Sequence, residues 1–227
     1  MNTETLNIQN NNIPKLGEGI FLVTDVAEIL NLPLPKVRRW LLQFWDRKFG
    51  QEAGLYSFGE ERNKAVNFYT LIEFYTFYQL KNQGLSTQKI QKFHRQISKE
   101  LKTKYPFAHS ELSTDGKAVW YKHLENIIKA DGKKQIDLVH ILKPFLHKIE
   151  FGKNKIAEKY YPLEKSKNVV VDPKHQFGQP TISGTNIKTK TIYNLYRSGE
   201  PNENICNLYD ISLKKVKDAV CFHQKVA

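Results

Sequence analysis

Lys36, Arg38, Arg39 and Gln43 share a short stretch with Val37, Trp40, Leu41 and Phe44, and the four apolar residues recur at helical spacing. A helix that turns the apolar set inward leaves the cations and the amide outside. Such side chains hydrogen-bond phosphate oxygens and base edges, so the chemistry indicated is recognition of a polyanion. The plainer reading is an amphipathic helix with a solvated basic face. A helix and tight turn just before it favour recognition. Arg62 and Lys64, beside Gly59, extend the set if Tyr56 to Phe68 folds as a small hairpin acting as a wing. Lys214, Lys215 and Lys217 form a second basic face on a last helix, balanced between nucleic acid and an acidic partner.

A third group, Asp172, Pro173, Phe177, Gly178, Pro180, Gly184 and Thr185, follows the apolar run Val169–Val171. With His175 it could be imagined as an active-site loop, but Asp, Pro and Gly are the ordinary residues of turns. Gly184-Thr185 lacks the Gly-Lys-Thr spacing of a phosphate cradle. The seven histidines show no His-x-x-x-His with an intervening Glu. No metal site, no cofactor and no catalytic residue are therefore assigned. Cys206 and Cys221, two thiols without a Cys-x-x-Cys partner, indicate neither a disulfide framework nor zinc.

The 227 residues carry 35 Lys and Arg against 23 Asp and Glu, a formal charge of +12, with 40% hydrophobic content. That balance favours a polyanionic partner and says nothing of fold. The apolar-aromatic run Phe68 to Leu80 is interrupted by Thr70, Glu73, Thr76 and Gln79, too short and too polar to span a bilayer. Met1 to Asn12 has neither the basic start nor the apolar centre of a secretory signal and reads as a flexible arm. A cytoplasmic protein with no membrane partner is expected.

Positioning these groups requires a particular order of elements. Thr24 caps a first helix containing Val26, Ile29 and Leu30, and Asn31-Leu32-Pro33 breaks it. Pro35 then falls in the first turn of the helix that carries Arg38 and Arg39. Thr70-x-x-Glu73 reads as a capping box for a helix that runs to Gly84, and its aromatic residues, Phe68 to Tyr78, are expected in the core. Ser86 caps a helix with Ile90, Phe93, Ile97 and Leu101 on one line and a solvated basic face around it. Asp115-Gly116 and Asp131-Gly132 bracket a short hairpin. A helix from Ile136 to Ile149 is interrupted at Pro144, and Lys153 to Lys167 reads as a linker. The end of the chain is read as a helix from about Lys190 to Ser198, a short helix from Pro201, and a Ser212-capped last helix. That last helix turns Leu213, Val216, Ala219 and Val220 inward and leaves His223 outside.

The order apolar run, Asp-Pro, Phe-Gly-x-Pro, Ser-Gly-Thr-Asn-Ile and helix closed by Ser198-Gly199-Glu200 resembles the C-terminal domain of a bacterial antitoxin family. That family is catalogued as domain of unknown function four hundred and thirty-three, is VapB-type, and is often encoded beside a PIN-like ribonuclease toxin. The helix-turn-helix, wing, Leu-Ile-Glu-Phe helix and Gly-Leu-Ser turn resemble the MerR-like N-terminal half of its longer members, with Leu34-Pro35 where a Ser or Thr cap is usual. The resemblance implies a mainly α fold with short β-hairpins. It would consist of an arm (1–17), a MerR-like winged helix-turn-helix (18–105), a connector with linker (106–167) and a C-terminal trihelical, helix-turn-helix-like module (168–227). It further implies an antitoxin, not an enzyme, that neutralises the toxin and, as a homodimer or higher assembly, represses its own operon by binding operator DNA. A stand-alone transcription regulator and a nucleic-acid-processing enzyme are the alternatives.

Overall fold

Phe21 and Val66, neither reached by solvent, face each other at the centre of a three-stranded antiparallel sheet. In this computed structural model, which describes residues 14–60, 63–109 and 146–224, helices predominate and strands occur as short antiparallel pairs. Strand β1 (Phe21–Leu22) leads directly into α1 (Val23–Leu30), and α2 (Leu34–Trp40) follows a three-residue turn. The helix then continues through a π-helical segment (Leu41–Phe49) into the short α3 (Gly50–Ala53). Strands β2 (Ser57–Phe58) and β3 (Ala65–Val66) form a hairpin that pairs with β1, in the order β1–β3–β2.

Helix α4 (Phe68–Asn82) is the central column of the core. Leu71, Ile72, Phe74 and Leu80 are wholly buried, and Phe77 nearly so, as the aromatic run predicts. Its start differs from the expected capping box: Asn67 is the cap and accepts the Thr70 N–H at 3.0 Å. Glu73 is instead buried completely. Its Oε1 accepts the Phe107 N–H at 2.8 Å, and its Oε2 lies 2.8 Å from His94 Nε2 on α5 (Thr87–Leu101). Burial pushes the Glu73 carboxyl above the usual range, and His94 opposes that shift. Ser86 caps α5 as expected, accepting the Lys89 N–H, and Ile90, Phe93 and Ile97 are buried.

The expected hairpin between Ala118 and Lys129 and the bend at Pro144 lie outside the described residues, as does the N-terminal arm up to residue 13. Strand β4 (Ile149–Phe151) begins at Ile149, expected to end a helix, and pairs with β5 (Ala157–Tyr160), which lies in the stretch from Lys153 to Lys167 expected to be a linker. The reason is burial: Ala157 and Tyr160 are each 2% exposed, and Tyr160 exchanges backbone hydrogen bonds with Val171. Strand β6 (Val169–Val170) pairs with β7 (Thr181–Ile182). Helices α6 (Thr189–Arg197), α7 (Asn202–Tyr209) and α8 (Leu213–Gln224) complete the chain. Ile182, Ile192, Ile205, Val216 and Ala219 form a second apolar cluster, whereas Val169, Val171 and Phe222 join the main core. Among the described residues no helix is long and apolar enough to cross a membrane.

Candidate nucleic-acid interface

The α1–α2 turn is built from backbone constraints. Asn31 takes a left-handed conformation (φ 51°), its N–H donates to Glu28 O at 3.1 Å, and Leu32 N–H donates to Ala27 O at 2.9 Å. Pro33 then opens α2, and the Lys36 and Val37 N–H groups both donate to the Pro33 carbonyl. No side chain caps α2, and Pro35 sits in its first turn, where a missing N–H costs little. At the head of α1 the cap is Leu22 and not Thr24: Asp25 reaches back to accept the Leu22 N–H at 2.9 Å.

Val37, Trp40 and Leu41 are buried, Phe44 partly so, and Arg38, Arg39 and Gln43 are exposed, as the spacing predicts. Trp40 meets Phe77 edge-on at 5.0 Å and Trp45 lies 4.3 Å from Phe74, so aromatic packing on α4 fixes the helix from behind. Exposed Leu42, Arg47 and Lys48 extend the outer face along the π-helical segment. Arg47 and Lys48 are not in the expected set, because the apolar spacing that defines it ends at Phe44. A charged pair following an unbroken apolar face is the signal that marks them.

Two residues of the expected set have other duties. Lys36 is half-buried, its Nζ 5.0 Å from the Trp40 ring and 5.0 Å from the Tyr78 ring. Lys64 is half-buried with Nζ 3.1 Å from Asp46 Oδ2 and 3.2 Å from Ser57 Oγ. It is therefore an internal counter-ion and not a wing cation. The pull comes from Asp46, a buried carboxylate on the π-helical segment, which also accepts the Tyr56 and Ser57 N–H groups at 3.1 Å and the Ser57 hydroxyl at 2.6 Å. Arg62 lies outside the described residues.

On α8, Lys214 and Lys217 are exposed and Lys215 is half-buried. Val216, Ala219 and Val220 face inward, but Leu213 is 40% exposed. His223, expected outside, is 7% exposed, held by Glu28 Oε1 at 2.8 Å from Nδ1 and Thr189 Oγ1 at 3.0 Å from Nε2. The hydrogen bond from His223 holds the Glu28 carboxyl below its usual range, against the opposing effect of burial.

The motif between β6 and β7 is a structural turn with one open side. Asp172 Oδ1 accepts the Lys174 N–H at 2.9 Å, and Pro173 is buried. Gln176, Phe177 and Gly178 are all left-handed, and the Phe177 carbonyl accepts the Ile20 N–H at 2.9 Å while its ring is 67% exposed. Gln179 Nε2 donates to Asp25 at 3.1 Å, and the Pro180 carbonyl accepts from Thr189. Gly184 is an exposed left-handed residue, and the Thr185 hydroxyl donates to Ile182 O at 2.9 Å. Among the described residues no group of three or more His, Cys, Asp or Glu side chains is placed to hold a metal ion.

The fold is that of the crystal structure of Rv2018 from Mycobacterium tuberculosis, with a TM-score of 0.70 over 92% of this chain and 99% of that one, at 18% identity. The chain is 22% identical over 168 residues, 67% of its own length and 69% of the relative's, to the Mycobacterium tuberculosis protein named "Putative antitoxin VapB45". It is 32% identical over 77 residues to Rv2308 of the same organism, covering 34% of this chain and 32%, about a third, of that protein. Residues 169–222, which hold the β6–β7 turn and the three last helices, match the family described as "Protein of unknown function (DUF433)".

Proposed function

We propose that the chain is an antitoxin that reads operator DNA through a winged helix-turn-helix in residues 18–105 and holds a PIN-like ribonuclease toxin inactive. The observation that carries the DNA part is one arrangement. Helix α1, a three-residue turn and an α2 bearing exposed Arg38 and Arg39 stand beside a β2–β3 hairpin that pairs back on β1. A helix anchored by aromatic packing with cations outward suits a major groove, and the hairpin suits the adjoining backbone. A two-fold dimer would set two such helices one DNA turn apart, about 34 Å. The antitoxin part rests on the likeness to the relative named as an antitoxin, whose matched length is about two thirds of each chain. Lys214, Lys215 and Lys217 are the second face offered to the toxin or to nucleic acid.

The test is co-expression with the product of the neighbouring open reading frame. A stable complex in which the partner's ribonuclease activity is suppressed, together with binding of duplex DNA from upstream of the chain's own gene, is the expected result. DNA binding without any complex would leave a stand-alone regulator. Neither activity would overturn the reading.

A further inference from the structure

The β6–β7 pair, joined to β5 through the Tyr160–Val171 bridge, has two unlike faces. Tyr160, Val169 and Val171 turn into the main core and Ile182 into the second apolar cluster, and all four are at most 2% exposed. The residues that alternate with them, Lys159, Tyr161, Val170, Asp172, Thr181 and Ser183, share the opposite face, because side chains alternate along a strand and neighbouring strands keep register. The outer face of such a sheet is ordinarily solvated. Here Asp172 is 6% and Thr181 1% exposed, on the floor of a cleft of about 410 Å³ closed at its rim by His175 and the 183–186 loop. That volume lies in the usual range for small-molecule sites, about 300–1,000 Å³.

The floor is not self-satisfied. Ser183 Oγ is buried without a hydrogen-bond partner among the described residues, an omission that costs stability unless something else supplies the bond. Asp172 Oδ2 lies 3.1 Å from His175 Nδ1 while Oδ1 takes the Lys174 N–H. In the neutral ring this contact directs the proton to Nδ1 and leaves Nε2 as the acceptor on the rim of the cleft.

We propose that this cleft binds a small uncharged molecule that combines an apolar ring face with N–H and O–H donors, of the nucleoside class, through Asp172, His175 and Ser183. An anion is disfavoured by the Asp172 carboxylate in the floor. Among the described residues Lys159 is the one lysine or arginine that lines the cleft, and it pairs with Glu150 at 3.2 Å. A cation would meet Lys159, and a purely apolar ligand would strand the polar floor. Val170 and the Tyr161 ring supply the apolar part of the lining. The Tyr161 phenol stays protonated, because burial, its 2.7 Å hydrogen bond to Glu150 and the charge of Asp172 all raise it.

The site is independent of the DNA reading, and calorimetric titration of the full chain tests it. Adenosine, guanosine, cytidine and uridine serve as probes, with glucose and inorganic phosphate as contrasting arms. At least one nucleoside should bind saturably. Ser183→Ala should weaken it at least about fivefold, with the melting temperature unchanged or raised because no existing bond is removed. His175→Ala, on an exposed side chain, should weaken it also, whereas Arg38→Ala should not. The proposal is overturned if no nucleoside binds, if glucose or phosphate binds in preference, or if nucleoside binding ignores Ser183→Ala.

Discussion

His223 Nδ1 lies 2.8 Å from Glu28 Oε1, joining the last helix to the first across almost the whole chain. The other side of the ring is equally committed. Thr189 Oγ1 is 3.2 Å from the Pro180 carbonyl, which can only accept, so its hydroxyl donates there while its oxygen lies 3.0 Å from Nε2. The position of the C-terminal module against α1 is fixed by charge as well as by shape.

This pair sets a pH dependence. The folded Glu28 carboxyl is held below the ordinary glutamate range, chiefly by the hydrogen bond from His223. A depressed carboxylate contributes stability above its unfolded pKa and loses it as pH falls through the folded one. Glu28→Gln should therefore destabilise the protein by about 1–2 kcal/mol near pH 7, and the deficit should shrink towards about pH 3. Urea unfolding of both proteins at the two pH values measures this. An equal deficit at both would show that Glu28 acts through packing and not through charge.

Gly178 lies where no other residue fits. A Cβ added there would stand 2.3 Å from the Phe21 ring, and φ is +87°. Both terms oppose a side chain, one by overlap in the core and one by backbone strain. Gly178→Ala should cost about 2–4 kcal/mol in thermal or urea unfolding. Gly184→Ala keeps the φ penalty but meets nothing within 4 Å, so it should cost only about 1 kcal/mol. Equal costs at the two positions would remove the Phe21 overlap from the account.

The helices were legible because their signals are local. Ser86, Pro201 and Gly199 mark boundaries within one turn, and the spacing of Val37, Trp40 and Leu41 gives the buried face directly. What failed depended on partners distant in sequence. Thr70-x-x-Glu73 looks like a capping box, but Asn67 caps and Glu73 is drawn inside by His94 and the Phe107 amide. Lys64 and His223 read as surface charges because nothing nearby in sequence reveals Asp46 or Glu28 as their counterparts. The polar cleft was hidden for the same reason: Lys159, Asp172 and Ser183 come from three separate stretches, and only strand pairing brings them to one face. Asp172 and His175 alone read as a turn, which they also are.

Asp46 holds the β2–β3 hairpin against the π-helical segment through the two backbone donors, the Ser57 hydroxyl and Lys64. Asp46→Ala would strand those donors and a half-buried ammonium, so a loss of about 3–5 kcal/mol is expected. Lys64→Met, which removes a partner that is itself partly solvated, should cost about 1 kcal/mol or less. Chemical denaturation of the two variants gives the comparison. If Lys64→Met proves the more damaging, the ammonium and not the carboxylate organises the hairpin.

The same distinction separates structural from DNA-facing cations. Arg38 and Arg39 are exposed on a helix locked from behind by Trp40 and Phe77, so replacing either with Ala should leave the fold intact. Each phosphate that is no longer neutralised lowers the slope of log K against log salt by about 1, and the double replacement should weaken duplex binding by about 1–3 kcal/mol. Fluorescence anisotropy between about 50 and 200 mM salt, with duplex DNA from upstream of the chain's own gene, reads both quantities. Lys64→Met is the control: its ammonium is held by Asp46, so the slope should match that of the unaltered protein. An unchanged slope in the Arg38→Ala, Arg39→Ala double variant, or a reduced one in Lys64→Met, would move the interface away from α2 and towards the basic face of α8.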